Sequence, residues 1–254
     1  MKVLIIGSAP DSSRAQHWKM DLFDLVVVIN NAWRITKKWD ELIFPHDFST
    51  ENTPTVLLKH QKIITEEHFV PAQNLYGGFV YAGATMAFTA GYWALANHKP
   101  SKICFLGCNM HYSQDEPTHF YGWGKPDPLR NDISLTSLKA CSYRMLILAK
   151  NSGCDIVSLS HGESNLHVPQ ISPDDLTRYQ SSFLVSETKV EEALKREKQL
   201  NYYVEDGRYW EKEHSFCRSE LVKLDQIWTE SLSFETPKQS KLMAERRSDE
   251  SFCK

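Results

Sequence analysis

The stretch KVLIIGSAPDSS, residues 2–13, opens as a continuous apolar run and stops at Gly7, where turn and helix-starting residues take over. The same grammar recurs down the chain. DLVVVIN at 24–30 is β-branched and ends at Asn30-Asn31, and ELIF at 41–44 ends before Pro45-His46-Asp47. KICFLG at 102–107 and CDIVSLS at 154–160 repeat it. Between them, GATMAFTAGYWALAN at 83–97 and SLTSLKACSYRMLILAKN at 134–151 read as helices, the first small and apolar nearly all round. Apolar strands alternating with helices predict an α/β fold of Rossmann-like type, a doubly wound, mostly parallel sheet covered on both faces.

In such a sheet every strand points its C-terminal end at one edge, the edge where these folds bind ligands. Polar residues gather there. Ser8, Ala9, Pro10 and Asp11 follow the first strand, Asn30 and Asn31 the second, and His46 and Asp47 the third. Asn109, His111 and Tyr112 follow the fourth, and Ser160, His161 and Ser164 the last. One further loop, THFYGWGKPDPLRND at 118–132, mixes a histidine, aromatics, glycines, prolines and charges in a pattern of neither helix nor strand.

Composition narrows the function. The chain has 254 residues, is 41% hydrophobic, and carries 29 Lys+Arg against 32 Asp+Glu for a formal charge of −3. No overall field draws a polyphosphate and no local basic patch is visible, so a nucleic-acid partner is not expected. No apolar run approaches the ~20 residues that span a bilayer, and Met1-Lys2-Val3 enters a strand directly, so a cytoplasmic location is expected. Six scattered cysteines without CxxC spacing read as reduced and structural. His46, Asp47, His111 and His119 show no recognised metal-ligand spacing.

Residues 1–171 read as the Rossmann-like domain and 172–235 as a charged helical extension without strands. Residues 236–254 read as a disordered tail. The charge of the extension reads as a solvated face, with a lid, an oligomerisation arm or a peripheral membrane contact as the alternatives.

The IIGSAP run, the INNAW strand end, the small-residue helix after Gly83, the FLGCNMHY strand end and the His/Tyr loop occur in that order over roughly residues 1–168. Together they resemble the bacterial sialyltransferases of glycosyltransferase family 42 and related proteins of unassigned function. The resemblance implies an enzyme that holds a cytidine-monophosphate sugar at the strand ends without a metal or other cofactor and transfers an acidic sugar to a glycan acceptor with inversion. It places Gly7, Ser8, Ala9, Pro10 and Asp11 on a family motif of Gly-Asn-Gly-Pro-Ser, so Ser8 replaces an asparagine. Asn30, with Asn31 beside it, falls on the second-strand asparagine. Ala82-Gly83 falls on a Ser-Gly pair and lacks its hydroxyl. Tyr112 and Tyr121 match by order the two tyrosines that hydrogen-bond the departing phosphate.

The family's catalytic histidine precedes the residue opening the penultimate helix, where this chain has Arg130-Asn131-Asp132-Ile133. His119 is the nearest substitute, and histidine titrates in the range a general base needs. Lys125 and Arg130 supply donors for developing phosphate charge. His46-Asp47 reads either as a strand-end turn or as a second acid/base pair, and His111 as structural or substrate-facing. Asn109 and Ser160 complete the expected pocket, and assembly as a homo-oligomer stays open. Two other functions share such a sheet: a non-catalytic nucleotide- or glycan-binding domain, and a metal-dependent pyrophosphokinase-like enzyme.

Overall fold

A computed structural model describes residues 1–124 and 130–234. Six parallel strands form the central sheet: β1 (Lys2–Ile6), β2 (Leu25–Ile29), β3 (Glu41–Ile43), β4 (Lys62–Ile64), β5 (Lys102–Leu106) and β6 (Asp155–Ser158). Their order is β4-β3-β2-β1-β5-β6. The chain winds outward from β1 to β4, then returns to β5 on the other side of β1. The β1/β5 seam is therefore the switch point, where a crevice opens in folds of this kind. Val3 is paired with Leu25 of β2 and with Ile103 of β5, so the seam is in continuous register.

Alternation along the strands divides the core in two. Val3, Ile5, Val27, Ile29, Ile103 and Phe105 face a layer of α-helices. Leu4, Ile6, Val26, Val28, Cys104 and Leu106 face the opposite side. The helical layer is α1 (Glu66–Asn74), α2 (Phe79–Ala82), α3 (Met86–His98) and α4 (Leu138–Asn151). Every residue of α3 from Ala87 to Leu95 is buried, as its apolar circumference requires. The second layer is built of 3-10 turns, at Pro10–His17, Met20–Leu22 and Asn30–Arg34. The polar run PDSSRAQH buries only Ser12 and Ala15, too little apolar stripe for a longer α-helix.

Three elements go beyond the sequence reading. β4, α1 and α2 lie between residues 44 and 83, where the periodicity announced nothing. β4 is a three-residue edge strand, and α1 is nine residues with Pro71 inside it.

The C-terminal region departs from the expectation of an extension without strands. It contains β7 (Phe183–Val185), α5 (Glu187–Leu200), α6 (Arg218–Glu230) and β8 (Leu232–Phe234), with β7 and β8 paired antiparallel. Pairing the two ends of the region satisfies backbone groups that a bare helix pair would leave open.

The region shares the main core through Val190, Ala193, Leu221, Leu224 and Trp228. A buried ion pair fastens it. The Arg144 guanidinium of α4 donates from Nε to Glu197 Oε1 and from Nη2 to Glu197 Oε2, both at 2.8 Å. Trp228 Nε1 also donates to Glu197 Oε1, and Tyr81 Oη to the Glu197 carbonyl. The expected tail, 236–254, lies outside the described residues. No helix among the described residues is long and apolar enough to cross a membrane.

Candidate functional site

The strand ends meet at the β1/β5 seam through two glycines. A Cβ on Gly7 would stand 2.3 Å from the Gly107 carbonyl oxygen, and one on Gly107 would stand 2.4 Å from Ser12 Cβ. Gly107 also has φ +68, a backbone setting that L side chains rarely adopt. Two backbones thus approach each other where a ligand would cross from one half of the sheet to the other.

Around that seam the residues expected from the sequence fall into two groups. Ser160 is buried, and its hydroxyl accepts from the Gly107 N–H at 2.8 Å, so it braces the seam. Asn109 is buried and donates from Nδ2 to the carbonyls of His161 and Glu163. His111 stands at the surface, 3.4 Å from Glu163 Oε2. Asp11 accepts from the His161 N–H at 3.1 Å. Burial pushes the Asp11 carboxyl above its ordinary range, against the hydrogen bonds from His161 and Ser160 and the Arg14 charge. Pro10 is exposed, Ala9 half-buried. Asn30 follows β2 in the left-handed region at φ 51, which asparagine tolerates better than other side chains.

Four acceptor oxygens at these ends are buried with no hydrogen-bond partner among the described residues: Asp11 Oδ1, Asn30 Oδ1, Asn31 Oδ1 and Asn109 Oδ1. They follow β1, β2 and β5, three neighbours in the sheet.

The aromatic loop closes on the same edge. His119 and Gly122 exchange two backbone hydrogen bonds at 3.0 Å, making a tight turn with Phe120 and Tyr121 at its tip. Phe120 packs on the core and its N–H donates to the Ser8 carbonyl at 2.9 Å. The His119 ring stacks on Tyr121 with centroids 5.0 Å apart and lies 6.0 Å from Tyr112. Its Nδ1 is 2.8 Å from Thr118 Oγ1. Gly124 N–H donates to that same hydroxyl oxygen, and a Cβ on Gly124 would stand 2.7 Å from the His119 ring. Lys125 lies outside the described residues.

His46, Asp47 and Arg130 belong to a second part of the edge. They line a cavity of about 640 Å³ between the ends of β3 and β4 and the segment 206–211 of the C-terminal region. His46 and Asp47 are both exposed there, and the His46 ring stacks on Trp210 at 5.8 Å. Arg130 donates from Nε to Asp132 Oδ2 at 2.9 Å and from Nη2 to the Ala84 carbonyl at 3.3 Å. Tyr209 donates to the same Asp132 oxygen at 2.6 Å. Asp132 Oδ1 accepts from the Ser134 N–H and hydroxyl. Burial alone would raise the Asp132 carboxyl, yet the bonds from Ser134 and Tyr209 and the Arg130 charge hold it below the ordinary range. With both oxygens occupied, Asp132 organises this corner and is a poor proton acceptor. Gly83 has φ 83, and a Cβ there would stand 2.8 Å from the Phe88 ring and 3.1 Å from Cys141 Sγ, so the helix layer behind the cavity leaves room only for glycine.

Thr118, Asp132, Tyr209 and Trp210 were not among the expected site residues. Asp132 lay in plain view in Arg-Asn-Asp-Ile, as a helix-capping aspartate two residues before a serine. Tyr209-Trp210 was signalled only as an aromatic pair in charged text. Among the described residues no three His, Cys, Asp or Glu side chains form a group suited to a metal ion.

Against protein-family models, curated proteins and solved structures the chain finds no match.

Proposed function

We propose that the chain is a metal-independent inverting glycosyltransferase of sialyltransferase type, moving an acidic sugar from a cytidine-monophosphate donor to a glycan acceptor. The observation that carries the reading is the set of buried, unpartnered acceptor oxygens on Asp11, Asn30, Asn31 and Asn109, which follow the neighbouring strands β1, β2 and β5. A buried acceptor without a partner costs about 1–3 kcal/mol, a cost that a ligand rich in donors removes on binding. The amino group of cytosine and the hydroxyls of ribose are such donors.

The chemistry follows from the groups around that row. The acceptor hydroxyl gives its proton to His119, its oxygen bonds to the anomeric carbon, and the bond from that carbon to the phosphate oxygen breaks. Negative charge then grows on the departing cytidine monophosphate, where hydroxyls of Ser8, Tyr112 and Tyr121 donate to it. In this reading the proton acceptor is Nε2. Thr118 Oγ1 accepts from Nδ1–H while its own hydrogen turns to the Gly124 carbonyl at 3.4 Å, fixing that tautomer. The rings of Tyr112 and Tyr121 restrict water around the base.

Thermal shift against cytidine, uridine, guanosine and adenosine nucleotides, with and without magnesium, tests the binding half. Cytidine mono- or diphosphate should raise Tm independently of magnesium. Incubation with a cytidine-monophosphate sugar and an oligosaccharide tests the transfer half. Stabilisation only by magnesium-bound adenosine triphosphate would refute the proposal, and cytidylate binding without transfer would reduce the chain to a binding domain.

A further inference from the structure

The connection from β3 to β4 carries three successive apolar side chains in water. Val56, Leu57 and Leu58 are 79%, 41% and 53% exposed, within a turn whose residues 55–60 are all exposed. The turn is held in that posture. Gln61 N–H donates to the Leu58 carbonyl at 2.9 Å, and Leu58 N–H donates to Gln61 Oε1 at 3.0 Å. Gln61 Nε2 donates to the carbonyls of Lys37 and Trp39, both at 3.2 Å. The aliphatic tips are thus fixed outward, at the N-terminal edge of the sheet, where Lys62 is in register with Glu41.

The surroundings are cationic. Lys37, Lys38, Lys59 and Lys62 are exposed around the turn, with His60 beside them. The carboxylates that open β3 turn inward, Asp40 accepting from the Val26 N–H and Glu41 buried against Trp93 and His98, and the exposed Asp21 and Asp24 precede β2, two strands from β4. Between residues 34 and 62 the exposed carboxylates are Asp47 and Glu51, and Asp47 sits at the opposite edge of the sheet.

We propose that this turn is a docking surface for an anionic lipid membrane, with Val56, Leu57 and Leu58 entering the boundary between headgroups and acyl chains and the lysines meeting lipid phosphates. Aliphatic tips ringed by lysine suit that interface, where apolar burial and attraction to anionic headgroups add. A second copy of the chain is disfavoured, because its four lysines would face these four. Nucleic acid is disfavoured because no Phe, Tyr or Trp lies between residues 49 and 68 to stack on a base. The surface is independent of the glycosyltransferase reading. Because it occupies the edge opposite the strand-end site, docking leaves that site open to solvent.

The test is co-sedimentation of the full chain with phosphatidylcholine vesicles, alone or mixed with phosphatidylglycerol, at low and high salt. The chain should sediment with the mixed vesicles, less at high salt, and little with phosphatidylcholine alone. Val56→Ser/Leu57→Ser/Leu58→Ser should weaken binding roughly tenfold or more, as should Lys37→Ala/Lys38→Ala/Lys59→Ala. Both sets are exposed, and an unchanged melting curve confirms that the variants fold. Failure to sediment, equal binding to both vesicle types, or full binding by the serine variant would overturn the proposal. So would a solution mass showing a dimer that the serine variant dissolves.

Discussion

The Phe120 N–H donates to the Ser8 carbonyl at 2.9 Å, joining the tip of the aromatic loop to the exit of the first strand. Two segments more than a hundred residues apart in sequence are thereby held at one point, and His119 is carried to the edge at which Asp11, Asn30 and Asn109 hold buried acceptors.

Replacing that histidine separates chemistry from binding. His119→Ala should lower kcat for sugar transfer by about 10²–10⁴-fold while leaving the thermal shift produced by cytidine monophosphate within error. Thr118→Val should lower kcat while leaving the thermal shift produced by cytidine monophosphate unchanged, because the tautomer loses its restraint. Unchanged transfer by His119→Ala removes it as the base.

Asn30 offers a substitution that spares the backbone. Glycine accepts φ 51 without strain, so Asn30→Gly should leave Tm within a few degrees of the parent while removing the carboxamide oxygen. Isothermal titration with cytidine monophosphate should then show affinity lower by roughly tenfold, the worth of about one hydrogen bond. Unaltered affinity would detach Asn30 from the nucleotide.

The clamp between Arg144 and Glu197 governs whether the C-terminal region stays docked. Both side chains are buried, so Glu197→Gln leaves a guanidinium without its counter-charge and should cost about 3–5 kcal/mol in urea unfolding. Arg144→Met/Glu197→Met should cost less than the two single changes added together, since neither charge is then stranded. Additive losses would mean that the pair acts as two separate contacts.

Stability should also carry a pH signature from Asp225. Burial pushes its carboxyl from an ordinary 3.8 up to about 7, against the hydrogen bond from Thr136 and with the help of the Glu197 charge. The folded chain therefore holds this proton between about pH 4 and pH 7 while the unfolded chain has lost it, so stability contributed here falls as pH rises through that window. Asp225→Asn should flatten the decline and melt higher than the parent at about pH 8. A decline of equal slope in both proteins would place its origin elsewhere.

The strands nearest the seam were legible because each is a continuous apolar run long enough to outvote its flanks. β1, β2, β3, β5 and β6 fall within the stretches that the residues marked, as does α4, and α3 runs one residue past its stretch. β4, β7 and β8 are as short as β3 but lack the turn signal Pro45-His46-Asp47 that closes it, and β7 finds its partner only after two helices. The site divides similarly. Strand-end polar residues could be placed from topology alone, since parallel strands deliver them to one edge. The bond from Tyr209 to Asp132 spans 77 residues and depends on how the C-terminal region docks, which no local pattern encodes.

That docking sets an order of events during synthesis. The sheet edge and α4 leave the ribosome well before Glu197, Tyr209 and Trp228 exist, so the wall supplied by residues 206–211 is the last part of the cavity to be made. A nascent or prematurely stopped chain carries the sheet edge with this cavity still unwalled on that side. The 640 Å³ cavity therefore gains its last wall only when translation has run past residue 211.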